Sequence, residues 1–131
     1  MVDVRKIRIR AGTLTMEAEL NASATATMIW NALPIEAPGQ TLGDEIYFGI
    51  PVRAQEEKDA QAVVELGAIA YWPPGNAFCI FFGPTPSSRN KNEIRPYSPV
   101  NVVGKVTGDA TKFKQVRSGT TIRLETASTP A

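Results

Sequence analysis

The chain has 131 residues, with 14 Lys and Arg against 13 Asp and Glu, for a net charge of +1. That length holds one ordinary core and leaves no room for a second domain. The balanced charge lacks the basic stripe that nucleic acid or a lipid surface requires, so neither is an expected partner.

Histidine is absent and Cys79 is the lone cysteine. These absences remove imidazole acid–base chemistry, histidine metal ligation, internal disulfides and thiolate clusters. No metal and no cofactor are therefore expected. Cys79 lies inside an apolar run, where a cysteine behaves as a small inert hydrophobe. No apolar run approaches the roughly 20 residues that cross a bilayer. The charged, alternating start does not resemble a signal peptide, so a cytoplasmic location is the default expectation.

In chain order, Val4 to Ala11 alternates Arg and Lys with Ile7 and Ile9, and Thr13 to Leu20 alternates Leu14, Met16, Ala18 and Leu20 with polar residues. Together they predict a hairpin turning at Ala11-Gly12. From Ser23 the period lengthens: Ala26, Ile29, Trp30 and Leu33 recur at helical spacing, with Asn21 or Ser23 as the cap and Pro34 closing the end. Trp30 is expected to lie against the sheet.

IEAPGQTLGD then reads as turns, and Glu45 to Arg53 as a strand with Ile46, Phe48, Ile50 and Val52 on one face. Pro51 would place that strand at an edge or a bulge. Ala54 to Ala60 reads as a solvated surface. Val63–Leu66, Ala68–Trp72, Phe78–Phe82, Val100–Val106 and Thr120–Glu125 are strand-like, and Asp109 can cap a short helix to Val116.

The predicted fold is mainly β, a closed barrel with one or two short α-helices. It is a single domain over residues 1–126, with a frayed tail over 127–131. Between Gly83 and Pro99 runs a loop without periodicity, and loops this long are uncommon in compact domains unless they are functional or mobile.

The acidic pairs Asp44-Glu45 and Glu56-Glu57 do not predict a metal site. Neighbours on a strand point to opposite faces, so Asp44 and Glu45 would not converge on one ion. The aromatic segment AYWPPGNAFCIFFGPTP (70–86) carries more chemistry. Alternation puts Phe78, Ile80 and Phe82 on one face and Cys79 and Phe81 on the other. One face fills the barrel; the other lies under a helix, under the long loop, or along a groove that receives something apolar. The candidate groove residues are Trp72, Phe78 and Phe81, with Asn76 beside the Pro73-Pro74-Gly75 turn, Arg95 and Tyr97 on the long loop, and Arg53 on the neighbouring strand.

The order of segments resembles the cyclophilins. GTLTMEAELNASATATMIWNALP is similar to their opening hairpin and helix through Thr25-Ala26, Trp30 and Ala32-Leu33. VNVVGKVTGD is similar to their Val-x-Gly-Lys-Val strand through Val102, Gly104, Lys105 and Val106, and SGTTIRLE falls in the place of their closing strand. Within that superfamily the chain looks closest to a small prokaryotic group of unassigned function marked by GDEIYF, AYWPPGNAxCxFFGPTP and PVNVxGKV, here Gly43 to Phe48, Ala70 to Pro86 and Pro99 to Val106.

The resemblance implies a barrel, and prolyl isomerase activity where its motifs are complete. They are not complete here. The Phe-His-Arg and Phe-Met-x-Gln-Gly-Gly-Asp segments are missing, and AQEEKDAQAVVEL fills the interval between Arg53 and Gly67. The Trp and His that precede the Val-x-Gly-Lys-Val strand are also missing, their place falling near Arg95 and Val100.

The leading expectation is a barrel that binds a peptide or a small apolar ligand in an aromatic groove without efficient isomerase activity. A divergent isomerase using Arg53 or Asn76 is an alternative. Another is a small-molecule binding or metabolic enzyme module, because other cyclophilin-like barrels occur in amide-processing hydrolases. The oligomeric state is open.

Overall fold

The computed structural model describes residues 5–127. Val4 of the first predicted strand and residues 128–131 of the predicted tail lie outside that range.

Nine antiparallel strands, one helix and two short 3-10 helices follow in the order β1 (Arg5–Ala11), β2 (Leu14–Leu20), α1 (Ala24–Ala32), β3 (Ile35–Pro38), β4 (Gln40–Thr41), β5 (Glu45–Gly49), β6 (Ala68–Trp72), a 3-10 turn (Pro73–Gly75), β7 (Ala77–Phe81), β8 (Asn101–Val106), a 3-10 helix (Ala110–Gln115) and β9 (Thr121–Thr126). The sheet order is β3-β9-β1-β2-β8-β6-β7-β5-β4.

The barrel is nearly closed rather than closed. Its two ends, β3 and β4, are consecutive pieces of one stretch that leaves β9 and joins β5 across Gly39. A Cβ at Gly39 would stand 2.7 Å from Ile122 Cγ1 and 3.0 Å from Ile46 Cγ2, so only glycine lets the two sheet ends approach this closely. This stretch, IEAPGQT, was expected to be turns. Its Pro and Gly are tolerated because each half pairs on one side only.

The hairpin forms as predicted, with Ile7 opposite Ala18 and Ile9 opposite Met16. Ile7, Ile9, Met16, Ala18 and Leu20 all face the interior. Ser23 caps α1, its hydroxyl accepting from the Ala26 N–H at 3.1 Å, while Asn21 supports the cap by accepting from the Ser23 N–H. Ala26 and Ile29 are buried on the barrel, and Trp30 packs partly against it.

Three expectations change. Val63–Leu66 is not a strand: it makes a single bridge, Val64 to Ile94, and leaves Val63 and Leu66 exposed. β5 stops at Gly49, before Pro51 removes a ladder donor, although Ile50 and Val52 stay buried.

Third, the 54–60 segment is not simply a solvated surface. The Glu57 carboxylate accepts from both the N–H (3.1 Å) and the hydroxyl (2.5 Å) of buried Thr25. Asn101, also buried, accepts from the Glu57 N–H at 2.8 Å and donates to the Gln55 carbonyl at 2.9 Å and to the Thr25 hydroxyl at 3.1 Å. Every one of these buried polar groups has a partner, so the network fastens the irregular segment to α1 and β8.

Candidate functional site

The two faces of β7 part company as alternation requires. Phe78, Ile80 and Phe82 enter the barrel core, with Phe78 tilted against Phe48 at 5.4 Å between ring centres, while Cys79 and Phe81 belong to a separate outer cluster with Val64, Ala68, Ala70, Ile94 and Val100. The 61–66 segment and the long loop cover most of that outer face.

The loop is held in place by its own hydrogen bonds. Buried Thr85 donates its N–H to the Ser88 hydroxyl at 2.9 Å and its hydroxyl to the Arg95 carbonyl, and the Arg95 N–H donates back to Ser88 at 3.1 Å. At the far end of the loop the Trp72 indole N–H donates to the Ser98 hydroxyl at 2.6 Å. The Trp72 ring folds over the following turn so closely that a Cβ at Gly75 would meet it at 2.6 Å.

The cover leaves one gap. Sheet register aligns Tyr47 of β5, Cys79 of β7, Ala70 of β6 and Val102 of β8 in one cross-strand row. The two middle residues are small. Beside them lies a pocket of about 220 Å3 with Tyr47 and Cys79 of that row in its lining, walled also by Trp72 and Tyr97, with Leu42, Pro96 and Val100 completing the apolar lining. Tyr97 stands edge-on to Trp72 at 6.0 Å and is 77 % exposed, so it forms the outer lip.

The remaining residue of the lining is Glu45. It is 6 % exposed, and its Oε1 is buried without a hydrogen-bond partner. Burial raises its carboxyl from the usual carboxylate range to about 7, and the Cys79 thiol beside it pulls it only partway back. Burial, with the Glu45 charge added, pushes the Cys79 thiol well above its ordinary range. The thiol therefore stays protonated at neutral pH and is no nucleophile. Asp44 points elsewhere, toward Lys114 at 3.9 Å, as the alternation argument expected.

Of the residues singled out from sequence, the fold brings Trp72 and Tyr97 together in this pocket. Phe81 lies on the same face but sits under the covering segments. Phe78 is in the barrel interior. Asn76 takes a left-handed backbone (φ 48°) and places its side-chain oxygen 2.7 Å from the Tyr71 hydroxyl, which is also 2.7 Å from the Val52 carbonyl. The Arg95 guanidinium is held by Glu93 at 3.0 Å, and Arg53 is exposed after Val52. No described pocket gathers Arg53, Asn76 and Phe81.

Sequence reasoning passed over Glu45 and Cys79 as site residues. The signal was present: in GDEIYF, alternation puts Glu45 on the same face as Tyr47, an acid on a surface otherwise aromatic and apolar.

A larger groove of about 480 Å3 runs between β2, β8 and the 61–66 segment, with Glu19, Glu65 and Lys105 among its walls. No buried, partnerless polar group lies in it, so the smaller pocket is the better candidate.

A nearly closed antiparallel barrel with one capping helix, carrying a ligand-sized pocket on its outer face, has the architecture of the cyclophilin-like proteins. The chain belongs to that family: the cyclophilin-like family model matches residues 5–125. It is similar to a hypothetical protein from Archaeoglobus fulgidus known by its solution structure, with 41 % identity, a TM-score of 0.80 and 95 % of each chain covered. That likeness agrees with the resemblance to a prokaryotic group of unassigned function. McbB, solved in complex with tryptophan, shares the fold at 16 % identity and a TM-score of 0.69, over 95 % of this chain and 46 % of McbB. No curated protein matches. No helix among the described residues is long and apolar enough to cross a membrane.

Proposed function

We propose that this protein binds a small, largely apolar molecule in the outer-face pocket and does not efficiently isomerise prolyl bonds. One observation carries this reading: Glu45 Oε1, buried and without a partner, lies in the lining of an otherwise apolar cavity. An unpaired buried acceptor costs about 1–3 kcal/mol, and a ligand with a hydrogen-bond donor removes that cost. Apolar walls with a few placed polar groups are what small-molecule sites have in common. A volume of about 220 Å3 suits a small molecule better than an extended peptide. McbB, 46 % of which shares this fold, is solved in complex with tryptophan, so the support it gives is that a protein containing such a barrel binds a small molecule.

Isomerase catalysis by twisting the prolyl amide needs a donor held over an apolar floor. Neither Arg53 nor Asn76 lines this pocket.

A thermal-shift screen with lactams, ureido acids, small aromatic compounds and short proline peptides tests the proposal, using Cys79→Leu to fill the cavity. A ligand at a hundredfold excess over its Kd stabilises by about 2.7 kcal/mol, and the shift is expected to vanish in Cys79→Leu. Equal shifts in both proteins would place binding elsewhere and sink the pocket reading. In a proline-peptide isomerisation assay the uncatalysed rate is expected; robust catalysis abolished by Arg53→Ala would establish the isomerase instead.

A further inference from the structure

The geometry points to a protonated amine with an apolar body as the molecule this pocket takes, its N–H donating to Glu45 Oε1 and its charge lying among Trp72, Tyr47 and Tyr97. This inference rests on the pocket being the binding site and adds the chemical class of the ligand.

Three observations lead to it. First, Glu45 is a carboxylate without a cation. Of the ion pairs among the described residues none includes it: Arg95, adjacent to the lining residue Pro96, pairs with Glu93 at 3.0 Å, and Lys114 pairs with the neighbouring Asp44 at 3.9 Å. A buried carboxyl is either paired or neutralised by a proton; no described residue pairs with Glu45, so a cation brought by a ligand is the partner that would keep it ionised.

Second, three of the side chains that line the pocket with Glu45 are aromatic. The face of Trp or Tyr attracts a cation within about 6 Å of the ring centre, and most strongly when water is excluded. An anion would meet the carboxylate and could gain nothing from the ring faces. The walls and the acid thus select the same sign of charge.

Third, Oε1 lacks a hydrogen-bond partner. A quaternary ammonium satisfies the rings but has no N–H to give, whereas a primary or secondary ammonium satisfies both. Trp72 is a suitable wall because Ser98 and the close approach over Gly75 fix its ring before any ligand arrives.

The experiment follows backbone amide shifts of the 15N-labelled protein, at a pH above 7 where Glu45 is ionised, during titration with 2-phenylethylammonium and its neutral isostere 2-phenylethanol. Expected are shifts clustered at residues 45–47, 77–81 and 96–100, at least tenfold tighter binding of the ammonium, and loss of that preference in Glu45→Gln. Equal or tighter binding of 2-phenylethanol at those amides overturns the amine inference and leaves the pocket reading standing. If neither probe, nor any compound of the screen above, shifts those amides, both readings fall. An ammonium preference that persists in Glu45→Gln overturns the role of the carboxylate, and Trp72→Phe then tests the rings alone.

Discussion

Glu57 and Glu45 both lie against the barrel, and they differ in what their oxygens meet. The Glu57 carboxylate receives two donors from Thr25, in a network that Asn101 completes. Glu45 keeps one oxygen buried with none. A fully paired buried network rigidifies the fold, whereas a buried polar group left unpaired is costly to it. The two acidic pairs of the sequence thus divide: Glu57 builds the structure, and Glu45 lines the proposed site.

Breaking the completed network gives the largest expected effect. Asn101→Leu strips partners from the Gln55 carbonyl and the Glu57 N–H together, so a loss of roughly 4 kcal/mol is expected in urea denaturation. A loss below about 1 kcal/mol would mean that the 54–60 segment is not held as described.

The incomplete site gives a pH signature of opposite sense. The folded Glu45 carboxyl is raised from 4.5 to about 7. Its contribution to stability is complete below the unfolded value and is lost as pH rises through about 7, a decline of about 3 kcal/mol between pH 4.5 and 8. With no histidine in the chain, no side chain of ordinary pKa titrates between about pH 6 and 7.5, so the upper part of the decline reports on Glu45. Glu93, Asp109 and Glu125 are held low by hydrogen bonds from Arg95, Thr111 and Arg123, so they weaken the protein only as pH falls below the ordinary carboxylate range. Glu45→Gln is expected to flatten the decline; an unchanged slope would show that another group causes it.

Ser98→Ala removes the acceptor of the Trp72 indole N–H. It should cost about 1 kcal/mol and loosen 2-phenylethylammonium binding, measured by denaturation and titration in parallel. Tyr97→Ala has the smallest effect on stability, within about 0.5 kcal/mol for so exposed a side chain, yet it should weaken binding of the same probe. A Tyr97→Ala protein that binds the ammonium as well as the parent removes the lip from the site.

The sequence by itself determined the strand alternation of Ile7, Ile9, Met16 and Ala18, the Ser23-capped helix, the division of Phe78 from Cys79 and Phe81, and the family. All of these depend on periods of two or 3.6 and on short motifs, which are local properties of the chain. Only the tertiary structure decided that IEAPGQT pairs as two edge strands through Gly39, that Glu57 turns inward to Thr25, and that Trp72 and Tyr97 converge on Glu45 while Arg53, Asn76 and Arg95 do not. Those outcomes depend on cross-strand register and on where a long loop comes to rest. The row Tyr47-Cys79-Ala70-Val102 joins four strands scattered over more than fifty positions, and no local pattern along the chain encodes that its two middle members are the small ones.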